Sequence, residues 1–312
     1  MRPVTEVITW VGALTSVYLL KRFVVFVWLY FVRPSSVQKF LHGPSPYAVI
    51  TGASDGIGKA VALELYETGF NLILHGRNEA KLTKVIEDIK KQAKRRGDGE
   101  IKYFIASADS RDVNFEKIVD EFRHLNVTLL FNNVGGGRER PNRVDAYSEE
   151  DLLGDIRVNA LFSFYLTRAF LPQMRSTGGP TEVIFVGSQS ADIRIPRLYT
   201  YAPCKAFLYQ LTRCFNSDER YWTPTNVHFM YLAVGTVITN SLRMETSLFY
   251  PTASKFAKSV VHKLGCGRER VTPYAPHAIQ QFFAGYTPAW FIEMHGAKVM
   301  KKVFEEKEKR AD

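Results

Sequence analysis

The chain opens on two apolar runs, 7–20 and 23–32, separated only by Lys21 and Arg22. Each basic residue at a bilayer centre costs ~2.5 to 3.5 kcal/mol, which disfavours one straight span centred on that pair. Two arrangements avoid the cost. A helix can span up to Leu20 with Lys21 and Arg22 snorkelling to the surface, followed by an interfacial helix carrying Phe23, Phe26, Trp28, Tyr30 and Phe31; or both pieces lie in the interface. A cleaved signal peptide is a third arrangement, but no small-residue cleavage pattern follows the run. Arg33 and Lys39 after the segment, against Arg2 and Glu6 before it, favour a body on the cytosolic side. Residues 1–40 are expected to form a membrane anchor and residues 41–46, ending in HGPSP, a linker.

From Tyr47 the pattern changes. Short apolar runs of strand length, YAVIT, NLILH, IKYFIA, VTLLF, EVIFVG and NVHFMYL, alternate with helical periodicity at 57–68, 79–96, 114–124, 149–174 and 202–221. Strands separated by helices imply right-handed crossovers and a doubly wound parallel α/β sheet. One such domain is expected over 47–275, followed by an amphipathic, basic tail over 276–312. No repeat of solenoid length interrupts it.

Composition narrows the class only modestly. At 312 residues and 46% hydrophobic, the chain can bury a full core. Its net charge of +10 is scattered, with clusters at the C-terminus and at 90–96; the latter reads first as a solvated helix end and second as a site for phosphates or anionic lipid, and nucleic acid is not an expected partner. Cys204, Cys214 and Cys266 form no CxxC pair, which points to a reducing compartment and buried or inert thiols. The seven histidines fit no HExxH-type spacing, so no metal is expected.

The first strand-to-helix turn carries TGASDGIG. Gly52, Gly56 and Gly58 let the backbone turn tightly and approach a pyrophosphate, while the amides opening the next helix, around Ser54, Asp55 and Ile57, supply positive potential. Five residues separate Gly52 from Gly58 and Lys59 is followed by Ala60, which excludes a Walker loop; the spacing is not GxGxxG either. The second strand ends at His75, followed by Gly76 and Arg77. No acidic residue stands there to bind the ribose 2′-hydroxyl of NAD, and Arg77 is placed to pair with the 2′-phosphate of NADP(H). Asp109, after the third strand, either touches the adenine or caps a helix.

Downstream, Ser188 follows the strand VIFVG, Tyr201 comes thirteen residues later and Lys205 one helical turn after that. Free phenols titrate near ~10, so proton transfer near neutrality asks for a shift of roughly 3 units, about 4 kcal/mol, which a nearby ammonium favours. A serine hydroxyl can hold a carbonyl oxygen where charge develops during reduction. A helix-surface pair is the plainer reading of Tyr201 and Lys205 taken alone.

Taken together, TGASDGIG, Asp109, NNVG at 132–135, Asn159, Ser188 and Tyr201 with Lys205 resemble, in order, the motifs of the short-chain dehydrogenase/reductase family, across roughly residues 47–275. The resemblance implies a Rossmann-like fold and a catalytic tetrad: Tyr201 as proton donor, Ser188 positioning the carbonyl, Lys205 on the nicotinamide ribose lowering the tyrosine pKa, and Asn159 holding a water that connects Lys205 to solvent. It also implies that Asn132, Asn133, Val134 and Gly135 line the cofactor site after the fourth strand, and that Val237 and Thr239 reach it from beyond the sixth. The NNVG variant, the apolar N-terminus and His277–Ala278 look like the membrane-bound branch of very-long-chain 3-oxoacyl-CoA reductases and 17-beta-hydroxysteroid dehydrogenases. That likeness implies an endoplasmic reticulum membrane protein with a cytosolic site, a lipophilic acyl-CoA or steroid substrate, contact with membrane lipid and other elongation enzymes, and a homodimer. Lys309 and Arg310 resemble a dilysine signal imperfectly.

Two departures bear on the site. Pro203 falls inside the Tyr201–Lys205 turn, tolerable only if the helix begins near Tyr201, and Val234 replaces the family's usual proline before Gly235. Residues 235–251 are expected to form a lid made apolar by Ile238, Leu242, Met244, Leu248 and Phe249. Phe282, Phe283, Tyr286, Trp290 and Phe291 in the tail offer either a second membrane contact or a cover for the pocket.

Overall fold

A computed structural model describes residues 2–93, 99–136, 140–240 and 245–311. The chain divides into two units, Met1–Ser35 and Ser36–Asp312. In the first, α1 (Arg2–Val27) passes into a π-helical turn, Trp28–Val32. The stretch Val4–Val32 is long and apolar enough to cross a hydrocarbon layer of ~30 Å. The expected division at Lys21 and Arg22 does not occur: the helix runs through both, and Arg22 Nη1 donates to the Tyr18 hydroxyl at 3.3 Å. Charge alone does not break a helix whose backbone bonds are internal.

In the second unit, the expected 41–46 linker is tied down. Val37 and Phe40 are buried, His42 Nε2 pairs with the Pro180 carbonyl at 2.9 Å, and Asn126 Nδ2 donates to the His42 carbonyl at 2.6 Å. Beyond it run β1 (Tyr47–Ile50), α2 (Gly56–Thr68), β2 (Asn71–Gly76), α3 (Glu79–Gln92), β3 (Ile101–Ile105), α4 (Phe115–Phe122) and β4 (Val127–Asn132). The second half holds α5 (Glu149–Ile156), α6 (Phe162–Arg175), β5 (Thr181–Val186), α7 (Tyr201–Ser217), β6 (Val227–Leu232), α8 (Ala253–Lys263), β7 (Arg270–Val271), α9 (Ala275–Ala284) and α10 (Ala289–Ala311). The strands pair in parallel in the order β3-β2-β1-β4-β5-β6-β7.

Period two explains how this sheet is covered. Ala48, Ile50, Leu129, Phe131, Ile184 and Met230 face one layer with α2 and α8, while Val49, Leu130, Val183, Phe185 and Phe229 face the other with α4, α6 and α7. Both faces are buried, so the strands read as continuous apolar runs. The order reverses between β1 and β4, which opens a crevice at the carboxyl ends of the strands. Neither β7 nor α8 was expected from the pattern. Two residues are too few for periodicity, and α8 declares itself through Thr252, whose hydroxyl accepts from the Lys255 amide at 3.3 Å.

Candidate active site

The glycine-rich turn leaves β1 at this switch point. Gly52 and Gly56 have φ of +62° and +56°, in the left-handed region that disfavours side chains. A Cβ on Gly58 would fall 2.3 Å from the Gly52 carbonyl oxygen, so the turn closes only with glycine there. The end of β4 pins this turn from beside: the Asn133 and Val134 amides donate to Thr51 Oγ1 at 2.8 and 2.9 Å, and Asn133 Nδ2 donates to the Thr51 carbonyl at 2.9 Å. The hollow that three missing side chains leave at the start of α2 fits a dinucleotide pyrophosphate.

From β2, His75 holds the turn's other side. Its Nδ1 accepts from the Gly52 amide at 3.3 Å, its Nε2 faces the Ala106 carbonyl at 3.1 Å, and its ring stacks between Phe104 and Phe162. Burial pulls its pKa down to about 4, so the ring is neutral and Nε2 carries the proton. Sequence reasoning passed over this residue; the signal was a histidine ending an otherwise apolar strand. Ser54 lies against Gly76, and Arg77 beyond it is exposed. Asp109 is half-buried, with its carboxylate accepting from Ser107 Oγ at 2.6 Å. Thr239 reaches the turn, lying 3.1 Å from a notional Cβ on Gly56, and Asp55 accepts from Asn240 Nδ2 at 2.7 Å.

Two of the expected residues turn their side chains inward. Asn132 is buried and its amide donates to Thr167 Oγ1 at 2.9 Å, which ties α6 to β4. The Val237 side chain lies in the apolar core with Val234. Both follow from the period of the strand and loop, which turns these side chains inward.

The proton-transfer groups converge from three elements. Tyr201 is the first residue of α7, which places Pro203 in the first turn, where its missing amide would have had no intrahelical partner. Ser188 follows β5 in extended conformation, and its hydroxyl accepts from the Ser190 amide at 3.1 Å. Lys205 is buried, donates to the Val186 carbonyl at 2.9 Å and lies 5.5 Å from the Tyr201 ring centre. Burial lowers its pKa to about 8. Burial raises that of Tyr201, against a smaller lowering by its hydrogen bond to Ser188. The expected depression of the phenol by Lys205 is therefore not a property of these residues alone, and Tyr201 stays protonated as a donor must.

Asn159 sits in a π-helical turn, Arg157–Leu161, between α5 and α6. Its Oδ1 accepts from the Gly136 amide and its Nδ2 donates to the Gly136 and Asp155 carbonyls, each at 3.0 Å. The side-chain amide is thus bonded to backbone, which fixes Asn159 in place beside Gly136. A Cβ on Gly135 would sit 2.9 Å from Lys205 Nζ and 3.2 Å from Asn159 Oδ1, so these two groups close around that glycine.

Two supports went unread. The Tyr231 hydroxyl accepts from the Ser188 amide and donates to its carbonyl, both at 2.9 Å, and its ring fills the place where a Gly187 Cβ would lie. Asp155 Oδ2 takes Arg140 Nη2 at 2.9 Å and Thr200 Oγ1 at 3.2 Å, binding the residue before Tyr201 to the residue whose carbonyl holds Asn159.

The short-chain dehydrogenase family model matches residues 46–247. The chain belongs to the short-chain dehydrogenase family. It is an oxidoreductase acting on CH–OH groups, with a fold that binds a nicotinamide cofactor. Among relatives, a very-long-chain 3-oxoacyl-CoA reductase of Kluyveromyces lactis is 32% identical, aligned over 87% of this chain and 80% of its own. The human inactive hydroxysteroid dehydrogenase-like protein 1 is 29% identical over 94% and 88%. The solved alcohol dehydrogenase of the archaeon Thermococcus sibiricus, complexed with 5-hydroxy-NADP, is 26% identical with TM-score 0.62, covering 72% of this chain and 94% of that one.

Around this dehydrogenase site, the loop after β6 is anchored from α9. Ile238 bridges to Thr252, the Tyr274 hydroxyl donates to the Leu248 carbonyl at 3.0 Å, and the fully buried His277 meets the Phe249 carbonyl at 2.9 Å. The expected lid residues Leu242 and Met244 lie outside the described residues; Leu248 and Phe249 are exposed. In the expected tail, His277 is core, whereas Phe283, Tyr286, Trp290 and Phe291 are exposed. Of the three thiols only Cys204 is buried; Cys214 is exposed and Cys266 half-buried.

Proposed function

We propose that the chain is an NADPH-dependent reductase of a lipophilic ketone, converting 3-oxoacyl-CoA to 3-hydroxyacyl-CoA in very-long-chain fatty acid elongation. The observation that carries the reading is the likeness to the Kluyveromyces lactis reductase across most of both chains, joined to Ser188, Tyr201 and Lys205 converging at one crevice. Arg77, exposed just past β2 with no carboxylate beside it in sequence, supports a cofactor bearing a 2′-phosphate. When bound, that cofactor supplies the hydride for the carbonyl carbon. The chain's own residues do the rest. Ser188 and Tyr201 hydroxyls hold the carbonyl oxygen, Tyr201 gives up its proton as negative charge develops there, and the Lys205 ammonium stabilises the phenolate that remains.

In this reading α1 anchors the protein in the endoplasmic reticulum membrane with its body in the cytosol beside other elongation enzymes, and the exposed aromatics of α9 and α10 touch lipid. Tyr165 and Phe207, exposed on α6 and α7, support a homodimer across those helices, which sedimentation in detergent tests. Asn126 begins an Asn-Val-Thr acceptor, but its amide is half-buried against His42, so protease protection of intact microsomes is the better probe of orientation.

The deciding assay is NADPH oxidation by membranes holding the protein, with long-chain 3-oxoacyl-CoA and ketosteroids compared and Tyr201→Phe as control. Tyr201-dependent turnover of the acyl-CoA well above any steroid is expected. Preferred steroid turnover would move the substrate to the hydroxysteroid class. No turnover, with cellular function intact in Tyr201→Phe, would make the chain a non-catalytic lipid-binding scaffold; the human relative is named as inactive.

A further inference from the structure

Beside the catalytic tyrosine, the 141–145 and 196–199 segments and α10 enclose a groove of about 630 Å³. Three cations line it, Arg143, Arg197 and Lys301, against one carboxylate, Asp145. Its remaining wall is apolar, with Val144, Tyr199, Met300 and Phe304. We infer that this groove binds the phosphorylated nucleotide head of the thioester substrate, the coenzyme A moiety, an inference that rests on the acyl-CoA reading above.

Position favours it. Tyr199 is two residues from Tyr201, so their Cα atoms lie within about 7 Å of each other and one wall of the groove is set next to the catalytic tyrosine along the chain. Its walls are fixed to the site and to each other. Thr200 is held by Asp155 at 3.2 Å, the Tyr199 hydroxyl meets the Asn142 carbonyl at 3.5 Å, and Arg194 pairs with Glu293 of α10 at 2.8 Å. Gly296 of α10 lies beside Ile195, where a Cβ would make an ordinary contact at 3.5 Å. Arg197, one of the lining residues, holds a φ of +71°, a strained backbone for a residue with a side chain.

Chemistry selects the occupant. An acyl tail or a steroid gains nothing from three cations, whereas pyrophosphate and ribose phosphate match guanidinium and ammonium donors, and an adenine ring has Tyr199 and Phe304 to pack on. Arg143 and Lys301 stand exposed on opposite walls, able to close on a polyanion without first leaving the core.

The test uses the full-length protein in detergent and one 3-oxoacyl chain carried either on coenzyme A or on pantetheine. The wild type should prefer the coenzyme A thioester at least tenfold in kcat/KM. Arg143→Gln/Lys301→Gln, with surface changes only, and the triple variant adding Arg197→Gln should narrow that preference below threefold. Adenosine 3′,5′-bisphosphate should compete with the coenzyme A thioester in the wild type and at least tenfold more weakly in both variants. A preference unaltered in the variants, or a wild type indifferent to the nucleotide, overturns the groove assignment while leaving the reductase reading standing. Turnover of neither thioester overturns the reading itself. Variants that keep the preference but lose binding to anionic phosphatidylserine vesicles would make the groove a lipid site, and the inference would be wrong.

Discussion

Gly135 and Lys205 are fitted to one another: a Cβ on the glycine would stand 2.9 Å from the lysine ammonium. Because the obstructing atom ends a flexible chain, the substitution displaces the ammonium rather than the fold. Gly135→Ala is expected to lower kcat for ketone reduction at least tenfold while the melting temperature moves by only a few degrees. Steady-state kinetics beside thermal unfolding checks it; unchanged kcat would show that the ammonium has room to spare.

Ser188 is aimed by Tyr231, whose hydroxyl closes on both the amide and the carbonyl of that residue. Tyr231→Phe keeps the ring that fills the space beside Gly187 but leaves two backbone groups without their partner, a cost of about 1–3 kcal/mol. The variant should unfold earlier in urea and reduce ketone several-fold more slowly with little change in cofactor affinity. Gly187→Ala should fail to fold stably, because its Cβ would overlap the buried ring.

How far the sequence was legible follows from these same residues. The sheet was readable because its strands are apolar on both faces and separated by helical periods, and Tyr201, Lys205, Ser188 and the three glycines announce themselves through type and spacing. Tyr231, His75 and Asp155 did not, because each acts through a partner 23 to 45 residues away, and no local pattern encodes such a contact. Asn132 and Val237 show the opposite case. They stand within recognisable motifs, yet their side chains point to the core.

His75 makes the cofactor turn sensitive to acid. Its folded pKa of about 4 lies below the ordinary 6.5, so between these values the unfolded chain binds a proton that the folded one refuses, and stability rises with pH. Acidifying from pH 6.5 to 4 should cost roughly 3 kcal/mol from this group. Urea unfolding across that range should show a smaller loss in His75→Asn, and cofactor affinity should fall as the Gly52 amide loses its acceptor. Parallel stability curves for the two proteins would exclude the ring as their source.

Lys205 trades stability for activity. Its folded pKa, about 8, lies below the ordinary 10.5, so at pH 7 the fold bears a buried ammonium that the unfolded chain would hydrate. The penalty is fully present below pH 8, shrinks as pH rises toward 10.5 and is gone above it. Lys205→Met removes the charge at similar length and gives up one hydrogen bond to the Val186 carbonyl, worth about 1 kcal/mol. The variant is expected to be inactive yet about 1–2 kcal/mol more stable than the wild type at pH 7, with the advantage disappearing by pH 10.5. Urea midpoints at the two pH values decide it: a variant less stable at both would mean that the ammonium is held by bonds stronger than its burial is costly.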